Sequence, residues 1–328
     1  MKQVLNAVVV GLGLALGGQA ALADKYPSKP INMVIPYGPG GATDVSARNL
    51  AAPLGKQFSQ PLLMVNRAGA GGVPGALSVA QAKPDGYSIL FARVGTHSVN
   101  LALKESVPYK LEDFEYIGVY EINPVACVVR PDSGYNNIQQ VVDAIKKNPG
   151  KITFSSSGVG SMPMLASILV LNEFGIEDPT KQATHIPMKS DGEGATAVLN
   201  GTATMFCGNT SGFSSFVANK QLKAILVASA DPVVGFDAPN ATDLKKPNLV
   251  KLVGWTGLAG PKGMSKESIA MWRQALGKAV EDPAFKKQME SLGSVIKMMG
   301  PEESEAFIKG QYESFRAIVD KLGIRIKG

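Results

Sequence analysis

Ile35-Pro36-Tyr37-Gly38-Pro39-Gly40-Gly41-Ala42-Thr43-Asp44 closes an apolar run, Ile31 to Pro36, and opens a stretch in which Leu50, Leu54 and Phe58 recur at helical spacing. A strand that turns through glycine into a helix is the βα unit of an α/β sheet, and Thr43 reads as the cap of that helix. Glycine lets backbone approach a ligand closely, and the start of a helix offers unpaired N–H groups at a positive dipole end. Val65-Asn66-Arg67-Ala68-Gly69-Ala70-Gly71-Gly72 repeats the arrangement after the apolar run Leu62 to Val65. Two such loops at the carboxyl ends of neighbouring strands would form an anion cradle, the usual ligand position in an α/β sheet.

The alternation continues along the chain. Val73 to Lys83 reads as a helix and Ser88 to Ala92 as a strand; a second series opens with a strand at Ala126 to Arg130. Ile138, Val141, Val142 and Ile145 place a helix at Ile138 to Lys147, and Ile152 to Phe154 is a strand running into Ser155-Ser156-Ser157-Gly158-Val159-Gly160. Met162 to Phe174 and Gly192 to Leu199 are helical; Thr184 to Ile186, Thr204 to Cys207 and Ala224 to Ala228 are extended. The tail carries Phe307, Ile308, Tyr312, Phe315, Val319 and Leu322 on one helical stripe. Two parallel sheets flanked by helices, with a cleft between them, follow from this pattern.

Residues 1–23 are expected to be a cleaved secretory signal peptide. Lys2 is the positive end, Val4 to Leu16 the apolar core, and Ala21-Leu22-Ala23 the small-residue cleavage site. No Cys follows that site to carry a lipid anchor, and Gly11-Leu12-Gly13 lacks the strand and helix of a dinucleotide fingerprint. The formal charge of +6 comes from scattered basic residues with no arm or stripe, which speaks against nucleic acid. The two cysteines, Cys127 and Cys207, sit among apolar residues; spacing does not show whether they meet, and two separate buried thiols are expected.

Taken in order, Tyr26-Pro27-Ser28-Lys29-Pro30-Ile31, Pro36 to Asp44, Asn66 to Gly72 and Pro84-Asp85-Gly86-Tyr87 resemble the substrate-binding proteins of tripartite tricarboxylate transporters, the Bug-type family. Gly95-Thr96-His97, Asn148-Pro149-Gly150-Lys151, Ser155-Ser156-Ser157-Gly158, His185-Ile186-Pro187 and the segment around Trp255 extend the resemblance to the rest of the chain. It implies a two-lobed periplasmic α/β receptor, each lobe a mostly parallel sheet flanked by helices. Residues 24–124 plus 229–328 would form lobe one, and residues 125–228 lobe two. Such a protein closes on a small carboxylate and passes it to the integral-membrane subunits of the transporter. A monomer with no cofactor, no metal and no catalytic residue is expected. The positions matching the family's binding segments are Tyr37, Gly38, Pro39, Gly40, Gly41 and Thr43, then Ala70 and Gly71, Thr96 and His97, and Ser155, Ser156, Ser157 and Gly160.

Two departures from the family pattern bear on the ligand. Arg93 stands where relatives carry a small or hydroxyl residue, and its fork would suit a second carboxylate. Gly208, beside Asn209, stands where many relatives carry Asp, and its lack of a carboxylate argues against ligands with an ammonium group. Lys189 and His185 read as a solvated side chain and a strand cap, and Met162 and Met164 as helix core, or as a flexible apolar wall if they line the cleft. A dicarboxylate without an amino group is therefore the expected ligand: citrate-like, aliphatic, or aromatic such as terephthalate.

Catalysis is poorly supplied. The chain has two histidines, no HExxH, no P-loop and no GxSxG elbow, leaving only a serine-hydrolase alternative built on Ser156 with His97 or His185. A sugar receptor would need several stacking aromatics, and only 7% of the residues are aromatic. An amino-acid receptor is the other alternative.

Overall fold

Ile31–Ile35 forms strand β1, buried except at Asn32, as expected of a strand covered on both faces. It pairs in parallel with β2 (Leu62–Asn66) and β3 (Ser88–Arg93). The structure, a computed structural model, describes residues 26–327, so the signal-peptide reading lies outside the described residues. Seven further strands follow: β4 (Phe114–Val129), β5 (Thr153–Ser156), β6 (Thr184–Pro187), β7 (Met205–Asn209), β8 (Lys223–Ala228), β9 (Val253–Pro261) and β10 (Val295–Ile296).

The strand order is β2-β1-β3-β9-β4-β7-β5-β6, with β8 and β10 also paired to β4. The long strand β4 serves both halves. Its residues 114–124 pair with β9, and residues 125–129 pair with β7 and β8, so its partners change between Pro124 and Val125. This makes a two-lobed α/β architecture in which the sheets are mixed. Between the named strands, parallel pairing joins β1 with β2 and β3, and β5 with β6 and β7; the pairs made by β4, and that of β3 with β9, are antiparallel. Strands joined by a helical crossover run parallel. Strand β9 instead arrives from a distant part of the chain, so alternating β and α segments could not reveal its direction.

Helices clothe both faces. Ala42–Gly55 and Lys266–Val280 bury Leu50, Leu54, Trp272 and Leu276 in one apolar cluster. The tail helix Pro301–Leu322 buries Ile308, Phe315 and Val319 on the opposite side, and its Gln311 Oε1 accepts from Trp255 Nε1 at 2.8 Å. A fully buried side chain of this size contributes roughly 1.5–3 kcal/mol, so the tail helix is an integral wall. No helix of the described residues is long and apolar enough to cross a membrane.

Two expectations are corrected here. Cys127 and Cys207 are paired in a disulfide, because the antiparallel register of β4 and β7 sets them directly opposite, with Cα atoms 4.0 Å apart. Thr43 does not cap its helix: Gly41 is the N-cap, with no side-chain cap bond, and Thr43 lies in the first turn.

Candidate functional site

Asp44 holds the first glycine-rich loop in shape. Its Oδ2 accepts from Gly40 N–H at 3.0 Å and Arg48 Nε at 2.8 Å, and its Oδ1 accepts from Asn66 Nδ2 at 2.9 Å. Burial pushes the Asp44 carboxyl up, but the bonds from Arg48, Asn66 and Gly40 outweigh it and hold the group below its ordinary range. Asn66 also donates to the Tyr37 carbonyl at 2.9 Å, and the Tyr37 hydroxyl donates to the Gly71 carbonyl at 3.1 Å, so the two loops are tied together. Gly72 has a φ of +90°, and a Cβ there would meet Thr96 Cγ2 at 2.7 Å; glycine permits both the turn and the close stacking.

An inner cavity of about 40 Å³ opens above these loops. Its first wall comes from Tyr37, Gly38, Gly41, Ala42 and Thr43 with Arg93, Val94 and Gly95; its second comes from Ser157, Ser161, Met162, Pro163, Lys189, Ser190, Asp191 and Asn209. An outer cavity of about 680 Å³ adjoins it past Tyr37, Gly38, Ser157, Lys189 and Ser190, and adds Pro39 and the Ala68–Gly72 loop. The inner space suits the head group of a small molecule, and the outer one suits its body.

Three helix N-termini converge on the inner cavity. Met162–Glu173 is capped by Ser161, whose side chain accepts from Met164 N–H, and Asp191–Leu199 is capped by Ser190, which accepts from Glu193 N–H. Ala42–Gly55 alone of the three has no side-chain cap. Its first N–H groups therefore stay available to an anion.

Arg93 is buried in the same cavity, 3% exposed. Among the described residues its one side-chain hydrogen bond runs from Nη1 to Thr256 Oγ1 at 3.2 Å. A guanidinium carries five N–H donors, so most of this buried cation is unspent. Asp191 lines the cavity too, and it lies outside the segments that the sequence motifs single out. Burial pushes its carboxyl up, while the Arg93 charge and the Ser157 hydroxyl pull the other way. The sequence did carry a signal for it: Ser190-Asp191-Gly192-Glu193 has the spacing of a capping box directly after β6, which sets Asp191 in the first helical turn.

Several expected residues stand off the inner cavity. Pro39, Ala70 and Gly71 line only the outer one. Gly40 is engaged by Asp44. Thr96 serves the backbone of Arg93, its Oγ1 donating to the Arg93 carbonyl at 3.0 Å. His97 is buried among Phe114, Tyr116 and Trp255, and burial pushes its pKa down to about 3, so it is a neutral core residue. Ser155 donates to the Gly194 carbonyl at 2.7 Å, and the Ser156 hydroxyl lies 2.6 Å from His185 Nε2. Ser156 is fully buried and lines neither cavity, so this pair presents no nucleophile to a ligand. Gly160 packs on Lys104 and Ile326. At Gly208 a Cβ would meet the Phe206 ring at 2.5 Å. The glycine there answers to packing against that ring. Lys189, read as solvated, is exposed at the mouth of both cavities, and Met162 lines the inner one while Met164 does not. No group of three or more potential ligands among the described residues could hold a metal ion.

A model of the tripartite tricarboxylate transporter family receptor matches residues 46–324. The chain belongs to this receptor family. It is 29% identical to the protein BugT of Bordetella pertussis over 332 residues, spanning 100% of both chains. Among solved structures it is similar to the periplasmic binding protein BugD, with 29% identity, a TM-score of 0.84, and coverage of 92% of this chain and 99% of that one. MatC from Rhodopseudomonas palustris, solved with bound malate, shares the fold at 24% identity and a TM-score of 0.81, over 90% of this chain and 100% of that one. Family and fold are those of tripartite tricarboxylate receptors, binding proteins rather than enzymes. The family match begins inside the helix Ala42–Gly55, so the first glycine-rich loop precedes it.

Proposed function

We propose that this receptor works in the periplasm, where it captures a small carboxylate between two lobes and hands it to the membrane subunits of a tripartite transporter. The observation that carries this reading is Arg93, a buried cation with unspent donors in a cavity walled from both halves of the sheet. The uncapped N-terminus of Ala42–Gly55 supplies further donors to the same space. Backbone donors with one guanidinium bind an anion strongly because each bond is charge-assisted. Residues 24–124 plus 229–328 form one lobe and 125–228 the other, and closure pivots on the crossings near Pro124 and Ser229. The change of β4's partners at Pro124–Val125 supports that pivot.

A thermal-shift screen tests the reading. Carboxylates should raise Tm, by the equivalent of about 2.7 kcal/mol at a hundred times Kd, and neutral sugars should not. Arg93→Ala should remove about half of that rise or more. A sugar that stabilises the wild-type protein while no carboxylate does would overturn the proposal.

A further inference from the structure

We propose that residues 323–327, which follow the tail helix, are a strap that sets how far the two lobes close, acting through Ile326 and Lys104 on Gly160 of the opposite lobe. The proposal rests on the closure reading above and concerns a contact made outside the ligand cavities.

The strap is anchored to lobe one along its length. Gly323, with a φ of +62°, ends the tail helix in the left-handed conformation and turns the chain back. Ile324 N–H donates to the Val319 carbonyl at 3.2 Å and Arg325 Nε to Asp320 Oδ1 at 2.7 Å, so the helix holds the turn that leaves it. Ile326 then bridges Lys104 in parallel. Its N–H donates to the Leu103 carbonyl at 3.0 Å, and its carbonyl accepts from Glu105 N–H at 2.9 Å. Strand-like alternation packs Ile324 and Ile326 on the core and leaves Arg325 and Lys327 exposed.

Lys104 joins the strap to a wall of the cleft. It is buried, and its Nζ donates to the Ala70 carbonyl at 2.8 Å, in the glycine-rich loop that lines the outer cavity. Its stem and Ile326 make the seat for the opposite lobe. Gly160, with a φ of +78°, lies against both: a Cβ there would meet Lys104 Cε at 3.2 Å and Ile326 Cδ1 at 3.3 Å. Only glycine allows so close an approach at that φ. Ser157 and Ser161, on either side of Gly160 in the chain, line the inner cavity, so the contact lies on the cleft-facing side of lobe two. Opening about the crossings near Pro124 and Ser229 parts Gly160 from Ile326. Each atomic contact is weak, but the set exists only in the closed form and so weights its population. Apparent affinity falls in proportion as the closed fraction falls.

Spin labels across the cleft test this. Arg67→Cys and Thr196→Cys place them on exposed positions of the two lobes that line neither cavity, and the native cysteines are paired and do not react. Pulsed electron resonance is recorded in buffer and in a mixture of succinate, citrate and terephthalate. The labelled protein should show a short and a long distance, and Ile326→Ala should lower the short-distance population at least two-fold. Gly160→Ala, which acts from the opposite lobe, should lower it as well. Adding Ile326→Ala to Gly160→Ala should then change nothing further, because the contact is already parted. A population ratio that Ile326→Ala leaves unchanged overturns the strap while leaving closure standing. So do effects of the two substitutions that simply add, since Gly160→Ala would then act through backbone strain in its own loop. A single distance in every sample removes the closure reading and the strap with it.

Discussion

Arg93 and Glu121 are buried opposite charges joined through one side chain, and they are used in opposite ways. Glu121 is fully buried and its lone pairs are filled: Oε2 accepts from Ser46 Oγ and Thr256 Oγ1, both at 2.6 Å, and Oε1 accepts from Asn123 Nδ2 and Ser294 Oγ, both at 2.8 Å. Arg93 reaches the same Thr256 with one N–H and offers the rest to a cavity. A buried charge saturated by its own fold is architecture, and one left with spare bonds beside a cavity is a binding device. Asn123 also accepts from Thr210 Oγ1 at 3.1 Å and Ser211 N–H at 3.3 Å, so the Glu121 cluster clasps the region where β4 passes from one half of the sheet to the other.

The largest effect expected from this contrast is on stability. Glu121→Ala removes the acceptor of four buried donors, and breaking such a network by taking out one member costs about 3–5 kcal/mol. Urea denaturation followed by circular dichroism should show that loss. A cost below about 1 kcal/mol would mean that water replaces the carboxylate and that Glu121 is not architectural.

Arg93→Ala should behave in the opposite way. Folding stability should change by less than about 1 kcal/mol, because a single hydrogen bond is lost. Carboxylate affinity should drop about ten-fold or more, the equivalent of 1.5–3 kcal/mol for a charge-assisted bond. Arg93→Lys should recover only part of it, since an ammonium lacks the planar fork. A variant that loses stability and keeps affinity would move Arg93 into the same class as Glu121.

Much of this contrast was hidden in the sequence, and the reason is distance along the chain. The helix Ile138–Lys147 is where its periodicity placed it, and the loop Tyr37–Thr43 lines the cavity, because both rest on contacts within a few residues. Arg93 was legible for the same reason: it ends a short strand just before Gly95-Thr96-His97. Strand β4 was read only from Ala126 onward, because its first half pairs with β9, more than a hundred residues later. The Ser-rich loop misled for a related reason. Nothing local shows that Ser155 is spent on Gly194, or Ser156 on His185. Hydroxyls near a cleft count as binding groups only when distant backbone has not already claimed them.

Thr256 is shared by both charges, so Thr256→Val should cost a little on each side. It removes a donor to Glu121 and the acceptor of Arg93 while keeping the shape of the side chain. About 1–2 kcal/mol of stability should be lost, with a two- to five-fold loss of affinity as the guanidinium is less well held. An effect on only one of the two readouts would show that the two charges are independent.

The smallest expected effect concerns Asp191 in the unliganded protein, and its sign is set by pH. Burial, opposed by the Arg93 charge and the Ser157 hydroxyl, leaves the folded carboxyl above its ordinary value of 3.8. The folded state therefore binds this proton more tightly than the unfolded chain does. That contribution to stability is fully present below 3.8 and is lost as pH rises through the folded value, above which a buried charge is carried at a cost. Asp191→Asn should thus raise Tm near pH 7, and the gain should vanish as pH falls below about 4. Arg93 offsets part of the burial, so the gain should be larger when Arg93→Ala is already present, and a double-mutant cycle measures the coupling directly. Equal gains in both backgrounds would mean that the two side chains do not sense each other across the cavity. Arg93 would then stand there as a lone cation.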